Sequence, residues 1–390
     1  MKDAVKSLKS SILRFPGGAE ASSYLWATAP SWSPKSHAPA FKTSAHWPNN
    51  DGKIVQNGKF VDVVNFDEFM SVAGHADVCI VVNFDSMYAS GGPSKRELIE
   101  TARQWVRYSK KFSNKFYWEI GNESDMDTTY NGRPHDGTQY GKDFVDFAVA
   151  MRKEDSDAKI GMNGYHEIFM TDVLKAAGKH VDFVALHPYP IWGYEKGFSD
   201  YVSKGVDVDV TYNRLQNALL RSSLSKSKRD SMFVLATETG VMDWATVGGN
   251  SPGWPGNNVG KMLALCDVLG QLAMLPRVRG VLGWTSHWVE RTEDTDSFFA
   301  FDPTNAPTPV GHALFLWASL GDCDVVSRKK MGSVVTYVVD TKSGQKKIVI
   351  NASDHDIVAN ALVAFHGDVN SSVVKRTEKI LPQKSIGIVQ

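Results

Sequence analysis

Glu123 and Glu238 each follow a short apolar, β-branched run, Phe116–Ile120 and Met232–Ala236. A single strand-end glutamate is more often a capping or salt-bridge residue. Two of them, with Asn122 directly before one and ring-bearing residues around both, suggest a working pair. Carboxyl groups about 5–5.5 Å apart can share a double displacement at an anomeric carbon, one attacking while the other protonates the leaving oxygen. Such closeness also raises the pKa of one partner, because neighbouring anions repel, and keeps the acid protonated. Arg14 is a candidate to hold the attacking carboxylate ionised through a charge-assisted hydrogen bond.

The elements that must position this pair alternate along the chain. Apolar runs at Ile12–Phe15, Val78–Phe84, Phe116–Ile120, Lys159–Met162, Val181–Leu186, Met232–Ala236 and Gly280–Trp284 read as strands. Helical periodicity occupies Phe66–Ala73, Ser94–Phe112, Gln139–Lys153, Glu167–Ala177, Val210–Ser223, Asn258–Leu275 and Val310–Leu320. Asn65 and Ser94 have N-cap chemistry, and Gly178 is a C-cap candidate. Strand–helix alternation implies parallel strands with crossovers, and the number of units predicts a (β/α)8 TIM barrel over residues 1–320. No Gly-x-Gly-x-x-Gly follows a strand, which argues against a dinucleotide fold. Residues 321–390 change character: Val334–Val339, Lys347–Ile350, Ala361–Phe365, Val373–Lys375 and Ile386–Val389 read as a small C-terminal β-sandwich domain.

A barrel gathers the C-terminal ends of its strands at one mouth. Read as a set, those ends offer Arg14 before Pro16-Gly17-Gly18, Asn83, Asn122-Glu123, Asn163, His187 with Tyr189, Glu238, and Trp284 with His287. Loop tryptophans (Trp32, Trp47, Trp192, Trp254, Trp288) suit either lids on a core or platforms for sugar rings.

Composition removes other classes. Lys+Arg and Asp+Glu both number 43, so no net field draws nucleic acid or an anionic membrane. Three cysteines make no disulfide framework and have no metal-ligand spacing, and Cys79 and Cys266 read as buried thiols. His166-Glu167 lacks the second histidine of a zinc-peptidase helix. His135, His166 and His180 read as surface or locally bonded, and Asp125, Asp127 and Asp136 as a solvated loop. No cofactor and no metal are expected. With no apolar leader and no membrane-length run, the chain as written is expected to stay in the compartment that makes it, the cytoplasm unless an upstream segment is missing.

Phe116-Tyr117-Trp118-Glu119-Ile120-Gly121-Asn122-Glu123 resembles the fourth-strand acid/base motif of clan A glycoside hydrolases, above all the α-L-arabinofuranosidase family, family 51. Leu13-Arg14-Phe15-Pro16-Gly17-Gly18, followed by Tyr24 and Trp26, is similar to that family's second-strand motif. Ala185-Leu186-His187-Pro188-Tyr189 resembles its sixth strand and Thr237-Glu238 its nucleophile position. The resemblance runs through residues 1–320 in order. It implies Glu123 as acid/base, Glu238 as nucleophile and Asn122 as donor to the sugar 2-hydroxyl. It further implies Arg14, His187 and Tyr189 as neighbours of the nucleophile and Trp284 as a stacking platform. The Ala236-Thr237-Glu238-Thr239-Gly240 context is closer to the glucuronidase and heparanase relatives, so an arabinofuranosidase and a β-glycanase both remain open. Residues Met1–Ser10 resemble the end of a first helix, leaving the first barrel strand without a counterpart. An oligo- or polysaccharide is the expected partner; a transglycosylase or a non-catalytic carbohydrate-binding protein are the alternatives.

Overall fold

The computed structural model describes residues 2–34, 55–56, 59–60, 64–89, 91–126, 135–247, 253–286 and 299–390. They form two compact units interleaved in sequence, one of Ile12–His187 and Val210–Thr237, the other of Met1–Ser11, Pro188–Asp209 and Glu238–Gln390.

Parallel strands run through the first unit: β1 (Ile12–Phe15), β2 (Asp77–Val82), β3 (Phe116–Ile120), β4 (Lys159–Asn163), β5 (Phe183–Leu186) and β6 (Phe233–Thr239). The last two residues of β6 belong to the second unit, where β7 (Val278–Gly283) completes a sheet ordered β1 to β7. Seven strands in sequence order, each joined to the next by a helical crossover, are consistent with a TIM-type barrel. Among the described residues β1 and β7 are its terminal strands, as expected if the first barrel strand has no counterpart.

The first unit's helices include α1 (Phe66–Ala73), α2 (Lys95–Ser109), α3 (Gly137–Glu154), α4 (Glu167–Ala177) and α5 (Asp209–Arg221). Asn65 and Ser94 both close capping boxes: each side chain accepts from the N3 amide while the N3 glutamate accepts from the cap's own amide. Gly178 does end α4, but in right-handed conformation. Its small size matters for another reason, since a Cβ there would meet Leu224 Cδ1 at 2.6 Å. Cys79, Tyr117, Phe183, Ala185, Phe233 and Leu235 pack together from four strands, β2, β3, β5 and β6. Gly161 on β4 leaves the space that the Phe183 ring fills, a Cβ lying 2.3 Å from Cε2.

In the second unit, the helix Lys2–Ser7 and Leu8 pack on Phe301 and Phe315. α6 (Val259–Met274) and α7 (Pro309–Ala318) precede an all-β tail. The tail holds β8 (Cys323–Met331), β9 (Val334–Thr341), β10 (Gly344–Asn351), β11 (Ile357–Val358), β12 (Ala361–His366), β13 (Lys375–Thr377), β14 (Ile380–Leu381) and β15 (Ser385–Val389). Six of them make an antiparallel sheet ordered β8-β9-β10-β15-β12-β13, and β11 pairs with β14. Tyr337, Val339, Ile348, Ile350, Ile386 and Ile388 share one core with α6 and α7. On α6, Asp267 accepts both nitrogens of the Arg328 fork at 2.9 Å and also the Tyr337 hydroxyl. Burial and Asp267 push the Tyr337 hydroxyl far above its usual range, so it stays a donor.

Candidate active site

Glu123 lies three residues beyond β3, and the turn that carries it is held on every side. Gly121 has φ +76°, and a Cβ there would meet Ser124 Oγ at 2.6 Å and Asp85 Oδ2 at 3.1 Å. Only glycine fits. Glu123 itself has φ +48°, a left-handed conformation that costs a non-glycine residue about 1–2 kcal/mol. The neighbours supply the restraint that such a conformation needs. Asn163, at the end of β4, donates to the Ile120 carbonyl at 2.7 Å and accepts from the Ser124 amide at 2.9 Å. Asp85 accepts from the Asn122 amide at 3.2 Å and from Ser22 Oγ at 3.1 Å. Asp125 accepts from the amides of Tyr165 and His166 at 2.8 and 2.6 Å. Asp125 is therefore buried and structural, which corrects the expectation of a solvated loop. Asp136 caps α3 through the Gln139 amide, and Asp127 lies outside the described residues.

Arg14 forms a fork on Glu119, Nε to Oε2 at 2.9 Å and Nη2 to Oε1 at 2.8 Å. The same Nη2 donates to Asn122 Oδ1 at 2.7 Å. Since guanidinium only donates, this fixes the amide orientation of Asn122 and leaves Nδ2 available as a donor. Glu119 has no exposed side-chain surface. Burial and this carboxylate together hold the Cys79 thiol, 3.6 Å from Oε2, protonated well above its usual range. His187 Nδ1 lies 2.8 Å from Glu123 Oε1, and Nε2 lies 3.1 Å from Thr237 Oγ1 and 3.8 Å from Glu119 Oε1. Against an ionised Glu123, Nδ1 carries the hydrogen and Nε2 accepts from the threonine. The first unit thus brings Arg14, Asn122, Glu123 and His187 together, and adds Glu119 and Thr237, which the strand-end criterion missed. Glu119 shares the inward parity of Tyr117 within β3, and that alternation was its only signal in the sequence.

Asn83 has both ends of its amide occupied, Nδ2 donating to the Tyr24 carbonyl at 3.2 Å and Oδ1 accepting from Ser86 Oγ at 2.5 Å. It orders the loop after β2 and is buried. The His135 side chain, only 6% exposed, pairs with Asp85 at 3.0 Å.

The second unit holds the other carboxylate. Tyr189 donates its hydroxyl to Glu238 Oε2 at 2.8 Å, and its ring meets Trp244 edge-on at 5.2 Å. Thr239 Oγ1 donates to the Pro188 carbonyl at 2.7 Å, and the Trp284 amide to the Thr239 carbonyl at 2.8 Å. Trp284 is half-buried beside Met242 and Phe299. His287 lies outside the described residues. Of the loop tryptophans, Trp254 is core and Trp32 stacks on buried Trp26, Trp192 is exposed, and Trp47 and Trp288 are outside the described residues.

No family model and no curated protein matches the sequence. Solved structures do match. An α-L-arabinofuranosidase from Thermotoga maritima, in complex with arabinose, is 16% identical with a TM-score of 0.65, over 100% of this chain and 88% of that one. The family 51 arabinofuranosidase from Xanthomonas axonopodis pv. citri is 14% identical with a TM-score of 0.60, over 100% and 89%. A family 44 xyloglucanase from Paenibacillus polymyxa is 13% identical with a TM-score of 0.59, over 98% and 94%. At these identities the likeness is one of architecture: this chain shares the fold of these arabinofuranosidases and of the xyloglucanase.

Proposed function

We propose that the chain is a retaining glycoside hydrolase acting on an oligo- or polysaccharide, with residues 1–320 as its catalytic region and 321–390 as an accessory β-sandwich. In the first step Glu238 attacks the anomeric carbon as Glu123 gives its proton to the departing oxygen, leaving a covalent glycosyl-enzyme. In the second, Glu123 takes a proton from water, whose oxygen attacks the same carbon and releases Glu238 with the configuration retained. Tyr189 positions the nucleophile, and His187 can follow the changing charge of Glu123. Asn122 offers its free Nδ2 to the sugar's 2-hydroxyl, while Trp284 provides a ring for the sugar to stack on.

The observation that carries this reading is the Glu123 turn. A glutamate in left-handed conformation, preceded by an asparagine whose carbonyl is fixed by a buried Arg14–Glu119 pair, is an expensive way to build a surface loop. The substrate sugar, an arabinofuranoside or a β-glycan, is proposed from the motif resemblance and from the activities of the structural neighbours.

The test is trapping. A panel of 2-deoxy-2-fluoro glycosides with dinitrophenyl leaving groups should add the mass of one fluoroglycosyl unit, and peptide mapping should place it on Glu238. Label on Glu123 would reverse the roles. A protein that binds the sugars without hydrolysing any or taking up label would be a carbohydrate-binding relative, and transfer to sugar acceptors in place of water would make it a transglycosylase.

A further inference from the structure

Trp192 is 69% exposed, with no ring contact or hydrogen bond among the described residues. An indole left in water forgoes burial that side chains of its size ordinarily gain in a core. The loop that carries it is not free to fold it away. Asp243 accepts four backbone amides, Gly193 and Tyr194 at 2.7 Å and Ala245 and Trp254 at 3.1 Å. Tyr194 stacks on Trp254, and its hydroxyl donates to the Gly205 carbonyl at 2.6 Å. Ile191, immediately before Trp192, is fully buried in the unit's core, while Gly193 after it has φ +69° and open space where a Cβ would be. The backbone therefore turns Ile191 inward and Trp192 outward on a pinned segment.

The position of that segment gives the exposure a purpose. Tyr189, whose hydroxyl holds Glu238 Oε2, is three residues away, at most about 10 Å of backbone. A sugar ring stacked on Trp192 would be one or two units removed from the ring attacked by Glu238. We propose that Trp192 is the platform of a distal sugar subsite, so that the substrate is a chain of several sugar units held across its apolar ring faces. This rests on the glycosidase reading above and narrows it toward chain-acting enzymes.

The experiment compares the parent protein with Trp192→Ala and Trp192→Phe on two kinds of probe. One is a panel of nitrophenyl monoglycosides, including the α-L-arabinofuranoside; the other is the arabino-, xylo- and cello-oligosaccharides of two to six units. Trp192→Ala should leave kcat/KM on the monoglycoside unchanged. It should raise KM about tenfold on the longer oligosaccharides that the parent cleaves, with Trp192→Phe close to the parent. Oligosaccharide should also perturb the tryptophan emission of the parent more than that of Trp192→Phe, in which Trp284 still meets the sugar. Equal loss on both probes, or no loss on the long ones, overturns the subsite. So does a change of oligomeric state in Trp192→Ala with kinetics unaltered, which would assign the indole to a contact between copies. A parent that neither cleaves nor binds any probe refutes the glycosidase reading, and the subsite with it.

Discussion

Lys261, in the first turn of α6, is completely buried and its ammonium has no hydrogen-bond partner among the described residues. Burial pushes its pKa down to about 7, the nearby Asp243 only partly opposing. The positive end of the helix dipole works in the same direction as burial. The linkage follows directly. In the unfolded chain the amine stays protonated to about pH 10.5, whereas the folded protein releases the proton near 7, so folding is penalised wherever the amine is charged when unfolded. The penalty is full below pH 7, at about 4–5 kcal/mol, and fades as pH rises toward 10.5. Replacing Lys261 with Met keeps the length and removes the charge. Reversible urea unfolding of parent and Lys261→Met at pH 6 and pH 9 isolates the effect, because groups common to both cancel. The parent should gain stability relative to the variant by about 2–3 kcal/mol between those pH values, and the variant should be the more stable at pH 6. Parallel pH dependences, or a variant destabilised equally at both, would refute the reasoning.

Azide should rescue Glu238→Ala to give the inverted glycosyl azide and Glu123→Ala to give the retained one, as chromatography and NMR of the products would show; the opposite outcome exchanges their roles. Glu119→Gln removes the buried charge on which the Arg14 fork closes and should destabilise the protein by about 3–5 kcal/mol in denaturant titration. Gly161→Ala drives a methyl into the Phe183 ring and should cost about 1–3 kcal/mol or more, read as a lowered Tm. Asp267→Ala strips Arg328 and Tyr337 of a shared acceptor and should cost about 3–5 kcal/mol, again by denaturant titration.

The strands and helices of residues 1–320 were legible in the sequence because period and punctuation agree there. Phe116–Ile120 and Glu167–Ala177 have their read boundaries, and both capping residues cap. β8 escaped because Arg328, Lys329 and Lys330 interrupt its apolar pattern: it is an edge strand with most of its side chains in water. β11 and β14 are two residues each, too short for any period to register. In the site, Arg14 and His187 declared themselves by type and strand-end position, but their partners did not. Glu119 lies inside a strand, where a charge reads as an anomaly until a guanidinium from another strand is seen to answer it. Asp125 looked like loop polarity because three acidic residues close together usually are, yet its Oδ2 accepts two backbone amides about forty residues away. Contacts of that range leave no local trace.

α6 has a consequence for how the protein is made. Thirteen of its sixteen residues are buried, and much of their cover is the sheet whose last strand is β15. That strand is synthesised about 115 residues after the helix, on the order of ten seconds at ordinary elongation rates. Through that interval the nascent helix must present a largely apolar surface, broken by Lys261 and Asp267, to its surroundings. A chaperone bound during translation would find a surface to cover there.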